Sequence, residues 1–390
     1  MEAGAAVPSA TEQARAGARF VEEPTEYDAI LLSSFGGPEG QDDVLPFLRN
    51  VTRGRGIPDE RLEEVAVHYR HFGGVSPINQ QNRDLKAALE QRLAERGVDL
   101  PVYWGNRNWE PYLDTALTQA HAAGHDRLIA IATSAYSSYS SCRQYREDWA
   151  DALEASGLRA DVQIDKVRAF YNHPGFVAPF VEGVQQAVAE AREAGIADTE
   201  IELLFVTHSI PEDDAIRSGD QEFDYGTRAD GTRMGAYERQ HLDVSAYVAE
   251  HAAPGVGWQL VYQSRSGPPS QPWLEPDIND AIEELEGRKA VVIVPIGFIS
   301  DHMEVMWDLD EEALETAEEH GLWARRTPTP GVHEAFVDAL VDLVLERVEG
   351  RPVAERAAVT SLGPAPDVVP ARDSENPRLG FRPAIAGLQP

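Results

Sequence analysis

Eight short apolar runs alternate with helical stretches along this chain, and that alternation restricts it to an α/β fold built on parallel strands. Ala29 to Ser33, Val102 to Trp104, Leu128 to Thr133 and Val162 to Arg168 form a first set. Ile201 to Thr207, Gln259 to Gln263, Ala290 to Pro295 and Leu322 to Arg326 form a second. Four runs plus four predict two lobes, each a four-stranded parallel sheet flanked by helices. The 390 residues agree, because a single core stops growing at about 250 to 300 residues. Val177, Phe180, Val181, Val184 and Val188 recur at helical spacing and predict a long helix from about Pro174 to Ala194, where the lobes join. Phe336, Leu340, Leu343 and Val344 predict another over His333 to Val348. The expected organisation is a flexible leader at 1–25, an N-terminal α/β lobe at 26–175, a C-terminal α/β lobe at 176–350 and a proline-rich tail at 351–390, disordered or draped over the surface.

Charge and cysteine usage remove whole classes of function. With 34 basic and 66 acidic side chains the net charge is −32, which disfavours nucleic acid as a partner, since phosphate binding relies on basic patches. Lysine occurs only at Lys86, Lys166 and Lys289, so the acid excess reads equally as adaptation to high salt or as an arginine-preferring genome. The single cysteine, Cys142, excludes an intrachain disulfide and any metal site that needs several thiolates. The longest apolar runs, such as Val291 to Ile299, fall far short of the roughly 18 to 20 residues that cross a bilayer. A basic start followed by an apolar stretch is missing at the N-terminus, so the expected location is the cytoplasm.

Ligands of doubly wound sheets bind beyond the carboxyl ends of the strands, which directs attention to four junctions: Ser33 to Pro38, Ser134 to Tyr139, Thr207 to Pro211 and Gly297 to Glu304. His208 follows the run Leu203-Leu204-Phe205-Val206, so an imidazole sits at a sheet mouth, where it can accept a proton or ligate a borderline metal. A satisfied structural histidine is the plain alternative. Glu304, Asp308 and Glu312 are spaced i, i+4 and i+8, one row of carboxylates along a helix face, either a cation-binding row or a solvated acidic face. Pro38 interrupts what would otherwise be a dinucleotide-binding glycine loop, and neither a Walker loop nor a nucleophile elbow is present.

Five blocks in order then carry a resemblance. Phe35-Gly36-Gly37-Pro38, Phe72-Gly73-Gly74-Val75-Ser76-Pro77-Ile78, Thr207-His208-Ser209-Ile210-Pro211, Gln263-Ser264-Arg265-Ser266-Gly267 with Pro272-Trp273-Leu274-Glu275-Pro276-Asp277, and Ser300-Asp301-His302-Met303-Glu304-Val305 resemble ferrochelatases over about residues 27 to 348. Ala135 to Asp148 is most similar to the actinobacterial, coproporphyrin-dependent type. The resemblance implies two Rossmann-like lobes with a porphyrin in the cleft between them, Fe(II) as the substrate metal, and insertion into coproporphyrin III. It implies that His208 and Glu304 form the metal site, that Asp308 and Glu312 are outer carboxylates leading to it, and that Ser76 and Tyr145 touch the porphyrin. Arg53 and Arg55 are candidates for pairing with propionates, or plain surface arginines, and Trp273 and Trp307 are either cleft walls or core. A transient contact with a downstream coprohaem decarboxylase is the implied partner.

Departures from the family pattern matter. Phe35 stands where some relatives have a tyrosine able to ligate the inserted iron, so that axial oxygen is absent here. His68-Tyr69 replaces a possible Arg-Tyr, and Thr52 a possible Arg. Cys142 resembles the first of four cysteines that hold an iron–sulfur cluster in many actinobacterial relatives, but the stretch Asp367 to Ser374 lacks the other three. No cluster is therefore expected, and the tail is expected to be loose without that anchor. Protoporphyrin IX as substrate, a non-catalytic porphyrin or metal carrier, and a cobalt chelatase remain the rival readings.

Overall fold

The computed structural model describes residues 26–54, 56–267, 270–367, 369, 374, 376, 382, 384 and 385, so the expected leader at 1–25 lies outside the described residues. Eight strands form two parallel sheets. β1 (Ala29–Ser34), β2 (Val102–Asn106), β3 (Arg127–Ala132) and β4 (Gln163–Lys166) lie in the order β2-β1-β3-β4. β5 (Ile201–His208), β6 (Gly257–Gln263), β7 (Ala290–Val294) and β8 (Trp323–Arg326) repeat that order as β6-β5-β7-β8. All six pairings are parallel. The central strands explain why the apolar runs were continuous rather than alternating: all residues of β1 and β7 are buried, because helices cover both faces of each sheet.

The helix Pro174–Glu193 follows the first sheet and the helix Glu334–Val348 follows the second. Each is capped alike, His173 Nδ1 accepting from Gly175 N and His333 Nδ1 from Ala335 N, both at 3.2 Å. Ile30 and Leu32 of the first sheet share one apolar core with Leu203 and Phe205 of the second, and Phe176, Phe180 and Phe336 fill the space between. The two lobes are thus packed against one another at their bases. The helix Glu334–Val348 also reaches back to the N-terminal half, where Arg168 forms a buried two-pronged ion pair with Glu346 at 2.8 and 3.0 Å.

The expectation of a loose tail is corrected over its described part. Val359 N donates to Asn172 O at 2.9 Å, and Asn172 Nδ2 donates to Gly363 O at 2.7 Å. Asp367, fully buried, meets Arg356 at 2.8 Å and Arg347 at 3.2 Å, while Arg382 reaches Glu147 at 3.0 Å. Charge pairing anchors this segment, and no thiolate takes part in these contacts.

Candidate active site

Within each sheet the chain turns in opposite directions from its first strand, so the β1/β3 and β5/β7 boundaries are the topological switch points where ligands bind. The lips of both are made by the junctions singled out from sequence. After β1, Gly36 adopts φ +80°, and a Cβ there would come within 2.8 Å of Asn106 Cβ, so only glycine lets the loop turn back over β2. After β7, a Cβ on Gly297 would lie 2.1 Å from Thr207 Oγ1, so glycine allows this loop to cross the end of β5 and deliver His302 and Glu304 beside His208.

His208 is the last residue of β5 and Glu304 lies in the first turn of the helix that starts at Met303. His208 Nε2 and a Glu304 carboxylate oxygen are 3.6 Å apart, with the side chains about one third and one half exposed to the cleft. Nδ1 of His208 donates to Ser209 O at 2.5 Å, which fixes the tautomer and turns Nε2 toward the carboxylate. His302 Nδ1 accepts from Glu304 N at 3.2 Å and sets the helix start. Burial pushes the His208 imidazole down, but the Glu304 charge and hydrogen bond outweigh it and raise the group to about 9. Burial likewise opposes ionisation of Glu304, and the His208 charge overrides it, holding the carboxyl at about 2. An imidazole facing a carboxylate at this separation can hold a divalent cation or pass a proton.

The carboxylate row does not lie on an ordinary α-helix. Met303–Val305 is α-helical, Met306–Ala313 is π-helical and Leu314–Glu319 returns to α. Such π segments are rare and concentrate at functional sites. Asp308 is pushed up to about 7, first by burial and then by the Glu304 and Glu312 charges, against a hydrogen bond from Ser264. Glu312 Oε1 accepts from Trp307 Nε1 at 2.8 Å, and the Trp307 ring stacks on His68 with centroids 4.1 Å apart and planes 6° from parallel. Trp307 therefore closes one side of the cleft against the N-terminal lobe instead of packing in the core. Trp273 is half-buried, bridged through its backbone to Pro211 in the loop after His208.

The other sequence candidates separate into two groups. Phe35 is exposed at the mouth, 6.0 Å from the Arg107 guanidinium, and Arg107 lies 4.3 Å over the ring of Tyr145, so these three form one wall. Ser76 is buried, its N–H donating to Pro38 O at 2.9 Å, and Tyr145 is also buried. Arg53 is exposed, with Nη2 donating to Asn50 Oδ1 at 2.6 Å, and Arg55 lies outside the described residues. Sequence reading missed Arg107. It pairs with Asp148, donates to Gln144 at 3.1 Å, and has a buried Nη2 without a hydrogen-bond partner. Its signal was available, because it directly follows β2, whose carboxyl end is not among the four junctions. Tyr69, beside the departure at His68, packs its ring on Phe47 with centroids 5.7 Å apart, and its phenol is pushed up by burial and then by the charge of Glu304.

Behind the site, the Tyr237 hydroxyl donates to His208 O at 2.8 Å, and the Tyr237 carbonyl accepts from His241 Nδ1 at 2.7 Å. His241 is buried against Tyr136 with centroids 3.6 Å apart, and burial pushes it down to about 3. The unfolded chain takes up a proton on this group below about pH 6.5 and the folded chain does not, so stability falls with acidification between those two values by up to about 1.4 kcal/mol per unit. Urea midpoints across that range should fall less steeply in His241→Phe than in the parent. Equal slopes would show that His241 contributes nothing to acid sensitivity.

The chain matches the Ferrochelatase family over residues 27–348. It is 63% identical over 390 residues, 98% of this chain and 99% of the relative, to the coproporphyrin III ferrochelatase of Leifsonia xyli subsp. xyli. It is 53% identical over 370 residues, 94% of this chain and 93% of the relative, to that of Tropheryma whipplei, and 53% identical over 377 residues, 94% and 97%, to that of Streptomyces griseus. With a family match spanning both lobes and the cleft between them, this chain belongs to the ferrochelatase family.

Proposed function

We propose that this protein inserts Fe(II) into coproporphyrin III, the substrate named for the relatives that share 53 to 63% of its sequence. The observation that carries the site assignment is the His208–Glu304 pair, 3.6 Å apart at the β5/β7 switch point and open to the cleft. Two strong protein donors leave an iron free to exchange, whereas a closed four-ligand cage would retain it against the porphyrin. Insertion breaks two pyrrole N–H bonds and forms four Fe–N bonds, so two protons must leave. His208, raised to about 9 beside Glu304, holds its own proton until an arriving cation displaces it; freed of that proton, Nε2 can accept one from a pyrrole, and the carboxylates of Glu304, Asp308 and Glu312 supply acceptors toward solvent. The same row offers Fe(II) an entry route. Phe35, Arg107 and Tyr145 form an apolar wall with one cation, suited to a porphyrin face and its edge; Ser76 lies behind the adjoining loop. Phe35 offers no axial oxygen to the product.

One thiol cannot hold an iron–sulfur cluster, so the purified protein should show neither cluster absorption nor stoichiometric labile sulfide; either would overturn this point. Among the described residues no helix is long and apolar enough to cross a membrane. A cytoplasmic setting, with product passed to a coprohaem decarboxylase, completes the reading. The test is anaerobic Fe(II) insertion into coproporphyrin III and protoporphyrin IX, followed by loss of porphyrin fluorescence. Faster turnover of coproporphyrin III is expected. Preference for protoporphyrin IX would reject the substrate assignment, and tight binding without insertion of either would reject the enzyme.

A further inference from the structure

The sequence block beginning Gln263-Ser264 has no part in the reading above, yet the structure sets it against the carboxylate row. Gln263 ends β6 and is the register partner of His208, and Ser209 N donates to Gln263 O at 2.8 Å, so this strand end is tied to the metal-side strand end. The Gln263 side chain is buried and its Nε2 donates to Glu304 O at 3.1 Å and to Asp308 Oδ2 at 3.2 Å. Rotating that amide would set its oxygen against two acceptors, which fixes its orientation. Ser264 Oγ donates to the same Asp308 Oδ2. Both donors therefore converge on one oxygen of Asp308, and Oδ1 accepts no hydrogen bond from the described residues.

The backbone of Ser264 points the same way. Its φ is +61°, in the left-handed region, and among the described residues only one other non-glycine residue has a positive φ. Glycine would adopt that backbone without strain, whereas a serine there costs stability and is retained only where surrounding structure over-determines it. The turn aims the hydroxyl at Asp308.

We propose that Gln263 and Ser264 are positioning residues that clamp one oxygen of Asp308 and so present the other to incoming Fe(II), making Asp308 an oriented relay to Glu304. This rests on the assignment of Asp308 to the iron path. A carboxylate without the clamp rotates freely and captures the cation less often, while chemistry at His208 is untouched.

The test compares Ser264→Gly, Asp308→Ala and the double variant by anaerobic insertion kinetics, with circular dichroism and thermal unfolding as fold controls. Ser264→Gly relieves the backbone while removing the hydroxyl, so loss of function by misfolding is disfavoured. Removing one ordinary hydrogen bond predicts a KM for Fe(II) raised about five- to tenfold, with kcat at saturating iron and KM for coproporphyrin III changed less than about twofold. The double variant should match Asp308→Ala alone, because the hydroxyl acts only through that carboxylate. A raised KM in Asp308→Ala with parent-like KM in Ser264→Gly would overturn the clamp, and so would effects that multiply in the double variant. An unchanged KM for Fe(II) in Asp308→Ala would reject the iron path itself and the clamp with it.

Discussion

His208→Ala is expected to lower Fe(II) insertion by at least about 10²-fold while leaving the fold intact. The substitution removes Nε2, one of the two strong donors proposed for iron and, once the metal has displaced its proton, the acceptor proposed for a pyrrole proton. It leaves the strand end in place, because the contacts that hold it do not use the imidazole: Tyr237 donates to the His208 carbonyl, and Ser209 N donates to Gln263 O. The imidazole is about one third exposed, so its loss opens no sealed cavity. Glu304→Gln, which keeps size and removes charge, should lose activity too. Circular dichroism and thermal unfolding would establish folding, and insertion rates with porphyrin-binding titrations would separate catalysis from binding. A folded His208→Ala protein that turns over at near the parent rate would remove the pair from the mechanism.

Much of this fold could be read from residue order alone because its strands are buried on both faces. Leu203-Leu204-Phe205-Val206 and Val291-Val292-Ile293-Val294 have no polar alternation to hide them, and parallel sheets then follow from the helices between strands. Strand ends were less legible. β6 starts at Gly257, two residues before its apolar stretch, because pairing with Glu202 extends it, and β4 stops at Lys166 instead of Arg168. Local apolarity does not report such pairing. The positions of His208 and Glu304 were legible because the strand-end rule of doubly wound sheets applies to both. The π-helical turn was not, since Met306 to Ala313 has the apolar spacing of any amphipathic helix and its widening is settled by tertiary packing. The i, i+4, i+8 arithmetic for Glu304, Asp308 and Glu312 thus assumed an α-helical face where the chain forms a π-helical turn. The anchoring of the tail, left open between disordered and draped, was illegible for a different reason. Proline content measures the lack of regular structure and says nothing about hydrogen bonds and salt bridges to partners far back in sequence, such as Arg168 donating to Ala357 O at 2.8 Å or Arg382 meeting Glu147.

Asp367→Ala is expected to cost about 3 to 5 kcal/mol of folding stability, the largest single loss outside the active site. The carboxylate sits between two guanidinium groups, Arg356 at 2.8 Å and Arg347 at 3.2 Å, and all three side chains are fully buried. Arg347 belongs to the helix Glu334–Val348 and also meets Tyr27 at 2.9 Å and Asp165 at 3.5 Å, from the segment before β1 and from β4. One buried charge thus joins the start of the N-terminal lobe, the last helix and the tail. Replacing the whole network by apolar groups need not destabilise, but deleting Asp367 takes from Arg356 the carboxylate it meets and leaves Arg347 with Asp165 at 3.5 Å, in a medium that solvates both cations poorly. The loss should appear as a lower urea midpoint and a lower Tm. Asp367→Asn should fall between the two, since an amide keeps the shape and gives up the charge. Because His208 and Glu304 make no contact with this network, insertion per folded molecule should stay within about twofold of the parent, as additivity holds for sites without shared partners. A destabilisation below about 1 kcal/mol would show that water or rearranged partners replace the carboxylate, and the tail would then be a covering segment instead of a brace.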